Sequence, residues 1–89
     1  MASIEERTAR GDDYLVALYE LSDGDTMKSP THREIAERSG ISEDDIFSVG
    51  YVVTDKGHAR WRTLSGLDGG VSITSSGIER AEQIISARK

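Results

Sequence analysis

The stretch that decides the fold runs from Thr31 to Ile46 and reads THREIAERSGISEDDI. Thr31 and Glu34 have the spacing of a capping box, in which the hydroxyl accepts a hydrogen bond from a backbone N–H and the carboxylate accepts one from the N-cap N–H. Gly40 is expected at the C-terminus of the same helix, because glycine readily adopts the left-handed conformation found there. The stretch therefore predicts a short helix over 31–39, followed by a tight turn.

A second helix is predicted directly after the turn, from about Glu43 to Asp55. Ile46, Val49 and Val53 repeat at helical spacing and should form its buried face. Ser42 and Asp45 give a weaker version of the capping-box pattern at its start. Two short helices joined by such a turn form a helix-turn-helix.

Upstream, a helix is predicted from about Asp12 to Leu21, with Tyr14 and Leu18 on its core face. Gly11 disfavours a helical backbone, which leaves two alternatives for residues 1–11: a separate arm, or an extension of this helix back through Ile4. Residues 12–89 would form the domain proper. Two further capping boxes are expected, at Ser3 with Glu6 and at Ser76 with Glu79.

Downstream of Gly57 the hydrophobic period changes from helical to alternating. Residues 59–64 and 71–74 alternate around a glycine-rich loop at 65–70, which predicts a β-hairpin. A last helix should follow from about Ser75 to Arg88, with Ile78, Ala81 and Ile85 in one stripe and Ile84 beside it. The predicted fold is α+β: a winged helix-turn-helix with a three-helix core, a two-stranded hairpin as the wing, and a C-terminal helix.

The composition narrows the class of function. The chain has 89 residues, a net charge of -5 and no cysteine, so disulfides, thiolate metal sites and a cysteine nucleophile are excluded. The sequence has no catalytic or nucleotide-binding motif, and its two histidines have no partner at metal-ligand spacing. We therefore expect no enzyme activity and no cofactor. The absence of a membrane-length apolar run and of a signal-peptide pattern favours a cytoplasmic protein.

Thr31 to Ile46, together with VSITSSGIERAE at 71–82, resembles the winged-helix domain of small MarR-like and PadR-like bacterial transcriptional regulators. The resemblance implies a regulator that binds double-stranded DNA, with the third helix in the major groove and the wing on the phosphate backbone. It implies DNA contacts from three places: the start of the second helix, the third helix and the wing. By position these are Thr31, His32, Arg33, Ser42, Glu43, Phe47, Ser48, Tyr51, Thr54, Lys56, Arg60, Arg62 and the loop 65–70.

The charge of the third helix departs from that family pattern. Residues 42–55 include Glu43, Asp44, Asp45 and Asp55 but no Lys or Arg, and acidic side chains beside phosphate oppose binding. Lys56, Arg60 and Arg62 supply the opposite charge in the wing. They are interpreted either as phosphate contacts or as solvated charges that protect a sheet edge from pairing. His32 is expected at the surface, and Trp61 is expected to pack across the hairpin or over the helix beneath it.

Two functions remain open from the sequence. In the first, the chain binds DNA as a homodimer through its terminal helices, with Ile4, Ile78, Ala81, Ile84 and Ile85 at the interface. In the second, the winged helix contacts a protein partner through the acidic third helix and the pair Phe47 and Tyr51, although Phe47 could instead pack into the core.

Overall fold

The computed structural model describes residues 4–63 and 65–89, with the side chains of residues 4–8 excluded. Along the chain it contains the helices α1 (Ile4–Ser22), α2 (His32–Ser39) and α3 (Ile46–Asp55), the strand β1 (Ala59–Trp61), a 3-10 turn (Gly66–Asp68), the strand β2 (Val71–Ile73) and the helix α4 (Ser75–Arg88). This is the predicted α+β winged-helix arrangement. None of the described helices has the length and hydropathy needed to cross a membrane.

The helix-turn-helix forms as its sequence predicts at α2. The Thr31 hydroxyl accepts from Glu34 N at 3.1 Å, and Glu34 Oε1 accepts from Thr31 N at 3.0 Å, which completes the capping box. Gly40 ends the helix with φ 79°, a left-handed conformation that costs glycine little. Ile41 is buried in the turn.

The start of α3 lies three residues later than predicted. The Ser42 carbonyl accepts from both Asp45 N and Ile46 N, and the Ser42 hydroxyl also accepts from Asp45 N. These bonds close a turn over residues 42–45 that precedes the helix. Asp45, at the N-cap, does not cap the helix with its side chain, which instead pairs with Arg10 at 3.2 Å.

α1 runs through Gly11 without interruption. Of the two alternatives for the N-terminal residues, residues 4–11 therefore extend the helix and do not form a separate arm. The capping box predicted at Ser3 and Glu6 lies outside the described residues. The one predicted at Ser76 and Glu79 is wrong. Thr74 is the N-cap of α4 and accepts from Gly77 N at 3.0 Å, while the Ser76 hydroxyl donates to the Gly57 carbonyl.

The two strands are antiparallel, with Arg60 opposite Ser72. A single bridge between Thr31 and Gly70 adds a third short segment on the far side of β2. The core lies where α1 crosses α2, α3, α4 and β2. Its members are Tyr14, Leu15, Ala17, Leu18, Ile35, Ala36, Ile41, Ile46, Val49, Val53, Ala59, Val71, Ile73, Ala81 and Ile84.

The wing is short and its tip is folded back onto the helix-turn-helix. His32 N donates to the Gly69 carbonyl at 3.1 Å, and Val71 N donates to the Pro30 carbonyl at 2.8 Å. The glycine-rich loop predicted to grip DNA therefore packs beside α2. This leaves β1 as the part of the wing with exposed basic side chains.

Candidate nucleic-acid interface

Four aromatic rings join α2, α3 and β1 on one side of the molecule. His32 lies 5.0 Å from Phe47 and 4.6 Å from Trp61 between ring centroids, and Tyr51 lies 4.6 Å from Trp61. Phe47 and Trp61 are half-buried, whereas 63% of Tyr51 is exposed. Trp61 thus packs over the helix beneath it, as predicted, and only Tyr51 of the predicted exposed pair is available to a partner.

The expectation that His32 is a surface residue is wrong. Its side chain is 1% exposed, because the rings of Phe47 and Trp61 cover it and its backbone is tied to Gly69. Burial lowers the pKa of the His32 imidazole, so the neutral form is favoured. A buried neutral ring cannot contact phosphate, and His32 is therefore removed from the candidate DNA contacts.

Gly50 explains how the aromatic side chains approach α3 so closely. A Cβ at this position would lie 3.0 Å from the Tyr14 hydroxyl and 3.3 Å from the Trp61 ring. Tyr14 is fully buried, and that burial raises the pKa of its hydroxyl. The absence of a side chain at Gly50, in the middle of α3, therefore makes room for two large side chains.

The outer face of α3 is polar but carries no basic side chain. Ser48 and Tyr51 are exposed, Thr54 is half-buried, and Ser42 lies exposed in the preceding turn. Glu43 and Asp44 are exposed at the same end of the helix. Such a face can donate and accept hydrogen bonds, but it repels phosphate at its N-terminal end.

Arg33, the predicted cation at the start of α2, is already engaged by carboxylates. Its guanidinium lies 3.3 Å from Glu43 and 3.5 Å from Asp68. These contacts tie α2 to the turn before α3 and to the 3-10 turn. Neutralisation by two carboxylates leaves Arg33 a poor phosphate ligand, while Thr31 is occupied by its capping box.

Ion pairing separates the arginines of the described side chains into two groups. Five of them contact carboxylates within 4.0 Å, in the pairs Arg10–Asp45, Arg33–Glu43 and Arg33–Asp68, Arg38–Glu20, Arg80–Asp12 and Arg88–Asp13. Within the described residues, Arg60 and Arg62 have no such partner. The two unneutralised arginines are therefore neighbours on the wing.

Arg60 lies in β1 and Arg62 directly follows the strand; both are exposed, and alternate residues of an extended chain share a face. They line a groove of about 260 Å³ together with Thr26, Met27, Ser72, Ile73, Thr74 and Ser75, a set that contains no carboxylate. Arg60 also borders a second depression, shared with Tyr51, Thr54 and Trp61. Lys56 is exposed just before the strand.

The groove includes a segment that sequence reasoning missed. Met27, on the loop between α1 and α2, is 77% exposed and lies at the rim of the groove beside the two arginines. Asp25 is the residue in the sequence that could have indicated a turn here, because its side chain accepts a hydrogen bond from Met27 N at 2.8 Å and so stabilises the turn. Nothing in the sequence placed that turn beside β1.

The predicted dimer residues divide between core and surface. Ala81 and Ile84 are buried, at 0% and 5% exposure, so both belong to the core and not to an interface. Ile78 and Ile85 remain half-buried, and the Ile4 side chain lies outside the described set. The outer face of α4 beside them carries Glu79, Glu82, Gln83 and Ser86.

Among the described residues, no cluster of three or more metal-ligating side chains is present.

Comparison with known proteins identifies a solved structure with a similar fold. No protein-family model and no curated protein sequence matches the chain. A solved structure of a MarR family regulator from Neisseria meningitidis matches with a TM-score of 0.62 and 19% identity. The match covers 85% of this chain and 53% of that one, so the chain spans about half the length of its structural relative. The protein therefore has a MarR-like winged-helix fold.

Proposed function

We propose that this protein binds double-stranded DNA as a winged-helix transcriptional regulator and contacts the phosphate backbone through Arg60 and Arg62. The observation that carries the proposal is the distribution of ion pairs. Within the described residues, Arg60 on β1 and Arg62 directly after it have no carboxylate partner, while the other described arginines are paired. The resemblance of the fold to a MarR family regulator supports the same conclusion at the level of function class.

The local charge supports this assignment despite the net charge of -5. Electrostatic attraction to DNA depends on cations at the interface, and each neutralised phosphate releases condensed counterions. At physiological ionic strength the Debye length is about 8 Å, and exposed charges farther apart than this are largely screened from one another. A basic wing on an acidic protein can therefore bind phosphate, with an affinity that depends strongly on salt.

Fluorescence anisotropy of a labelled duplex of mixed sequence tests the proposal. We expect the parent protein to bind at low salt and the variant Arg60→Ala/Arg62→Ala to bind much more weakly. Arg38→Ala/Arg88→Ala is the matched control, because it removes the same charge from arginines that are already paired. Equal weakening in both double variants would mean that net charge, and not the wing, governs binding.

One observation favours a second function, contact with a protein partner. Tyr51 and Val52 are exposed by 63% and 40% on α3, the helix that follows the acidic turn of Glu43 and Asp44. A partner with a basic rim and an apolar centre would complement this face. Absence of duplex binding at low salt, together with loss of a co-purifying partner in Tyr51→Ala, would favour this function over DNA binding.

A further inference from the structure

The loop between α1 and α2 and the hairpin form one continuous surface. The Ser29 hydroxyl lies 3.1 Å from the Ser72 hydroxyl, and the adjacent Pro30 carbonyl accepts from Val71 N at 2.8 Å. These two bonds attach the loop to β2, in which Ser72 is the register partner of Arg60 on β1. The groove between them therefore has walls fixed by hydrogen bonds on both sides.

The loop presents Met27 outward by a specific backbone turn. Lys28 N donates to the Asp25 carbonyl at 3.2 Å, and the Asp25 carboxylate accepts from Met27 N at 2.8 Å. Both bonds close the turn and leave the Met27 side chain at its corner, 77% exposed. No other described large hydrophobic side chain is as exposed, and core packing does not account for it. Lys28, also exposed, adds a further positive charge to the same corner.

This surface differs chemically from the outer face of α3. The described lining of the groove carries two unpaired arginines, four hydroxyls and the exposed apolar side chain of Met27, with no carboxylate among them. Glu43 and Asp44 lie in the turn that precedes α3, and Arg33 is neutralised by Glu43 and Asp68. Phosphates on both edges of a DNA groove would be attracted to the first surface and repelled by the start of the second.

We infer that the duplex docks on the groove between the Asp25–Ser29 loop and the hairpin, with Met27 in the DNA minor groove and Arg60 and Arg62 on phosphates at its edge. The inference rests on the proposed function and specifies its geometry. Proteins that bind the minor groove use basic side chains to contact it and frequently insert an apolar side chain, methionine among them, between base steps. In this orientation the acidic start of α3 stays off the backbone.

Two matched charge insertions test the docking face. Met27→Glu and Ser48→Glu each add one negative charge at an exposed position, the first in the groove and the second on α3. We expect Met27→Glu to weaken duplex binding about tenfold or more, because like charges opposed across an interface are strongly unfavourable. Ser48→Glu should have little effect. Circular dichroism and melting temperature establish that both variants are folded.

Replacement by uncharged residues tests the apolar contact separately. Met27→Leu should bind like the parent protein, whereas Met27→Ala should bind several-fold more weakly, because only the alanine removes the apolar contact. Equal binding by these two variants would overturn the role given to Met27.

The outcomes separate the docking inference from the proposed function. In one outcome, Arg60→Ala/Arg62→Ala and Ser48→Glu both weaken duplex binding, whereas Met27→Glu does not. The wing then binds DNA but the duplex lies on α3, so the docking inference is wrong while the proposed function stands. If neither the arginine variant nor Met27→Glu changes binding, the proposed function fails with it. The remaining control is competition for the bound labelled duplex by polyglutamate, added at the same total charge as unlabelled duplex. If polyglutamate displaces the labelled duplex as effectively as unlabelled duplex does, the groove binds acidic polypeptides and the inference is overturned.

Discussion

The imidazole of His32 lies edge-on against the indole of Trp61, with ring centroids 4.6 Å apart and an interplanar angle of 76°. His32 is the first residue of α2 and Trp61 the last of β1, so this contact joins the helix-turn-helix to the base of the wing. Phe47 of α3 touches both rings. The three side chains thereby fix the direction in which β1 presents Arg60 and Arg62.

The burial of His32 predicts that stability falls in mild acid. Burial lowers its pKa below the value of about 6.5 expected in the unfolded chain. The unfolded chain then binds more protons as the pH drops below that value, so the free energy of unfolding is greatest above it and decreases toward the lowered pKa. We expect the melting temperature of the parent to fall between about pH 7.5 and about pH 5.5.

The variant His32→Phe isolates this effect, because it keeps an aromatic ring without a titrating group. Its melting temperature should fall less than that of the parent over the same pH range. The pKa of His58 is also lowered, first by partial burial and then by Lys56 and Arg80, with Asp12 opposing, so His58→Asn serves as the comparison. An undiminished pH dependence in His32→Phe would contradict the assignment.

Two helical glycines should respond to alanine in opposite directions. A Cβ at Gly77 would overlap the His58 carbonyl oxygen, so Gly77→Ala should lower the free energy of unfolding by roughly 1–3 kcal/mol. A Cβ at Gly11 would meet only Val53 Cγ2, at 3.9 Å, so Gly11→Ala should raise it by about 0.5–1 kcal/mol. Urea titration of both variants measures the difference; destabilisation by Gly11→Ala would show that α1 is not a continuous helix there.

The N-cap of α4 can be assigned by two alanine variants. Thr74 accepts from Gly77 N, so Thr74→Ala should cost about 1 kcal/mol, the usual value for loss of an N-cap. Ser76→Ala removes a hydroxyl that does not cap the helix and only contacts Gly57 O and Thr74, and it should cost less. Chemical denaturation compares the two, and a larger loss at Ser76 would restore the capping box that the sequence predicted.

The sequence predicted the fold well because its signals are local. Thr31, Glu34 and Gly40 determine α2 through backbone hydrogen bonds within a few residues. Hydrophobic spacing placed Tyr14, Ile46 and Val53 in the core. The errors at α3 and α4 are also local: Ser42 accepts from Asp45 N in a turn that precedes α3, and Thr74, two residues before Ser76, accepts from Gly77 N at the start of α4.

The candidate site was less predictable because it depends on contacts distant in sequence. His32 becomes buried only when Phe47 and Trp61 meet above it, and Arg33 is neutralised by Asp68, 35 residues away. The proximity of Met27 to Arg60 depends on how the α1–α2 loop attaches to β2. No periodicity or motif encodes these pairings. Arg60 and Arg62 could be predicted as the cations of the wing because that prediction depends only on their charge and on the alternating pattern of the strand.

The salt dependence of duplex binding tests the central claim, that Arg60 and Arg62 contact DNA phosphates, most directly. The dissociation constant is measured by anisotropy across a series of salt concentrations, for the parent protein and for Arg60→Ala/Arg62→Ala. Each phosphate contact contributes about 0.9 to the slope of log affinity against log salt, so the double variant should lose about 1.8 from that slope. An unchanged slope, with the parent protein bound, would mean that the phosphates are held by other residues and would contradict the account.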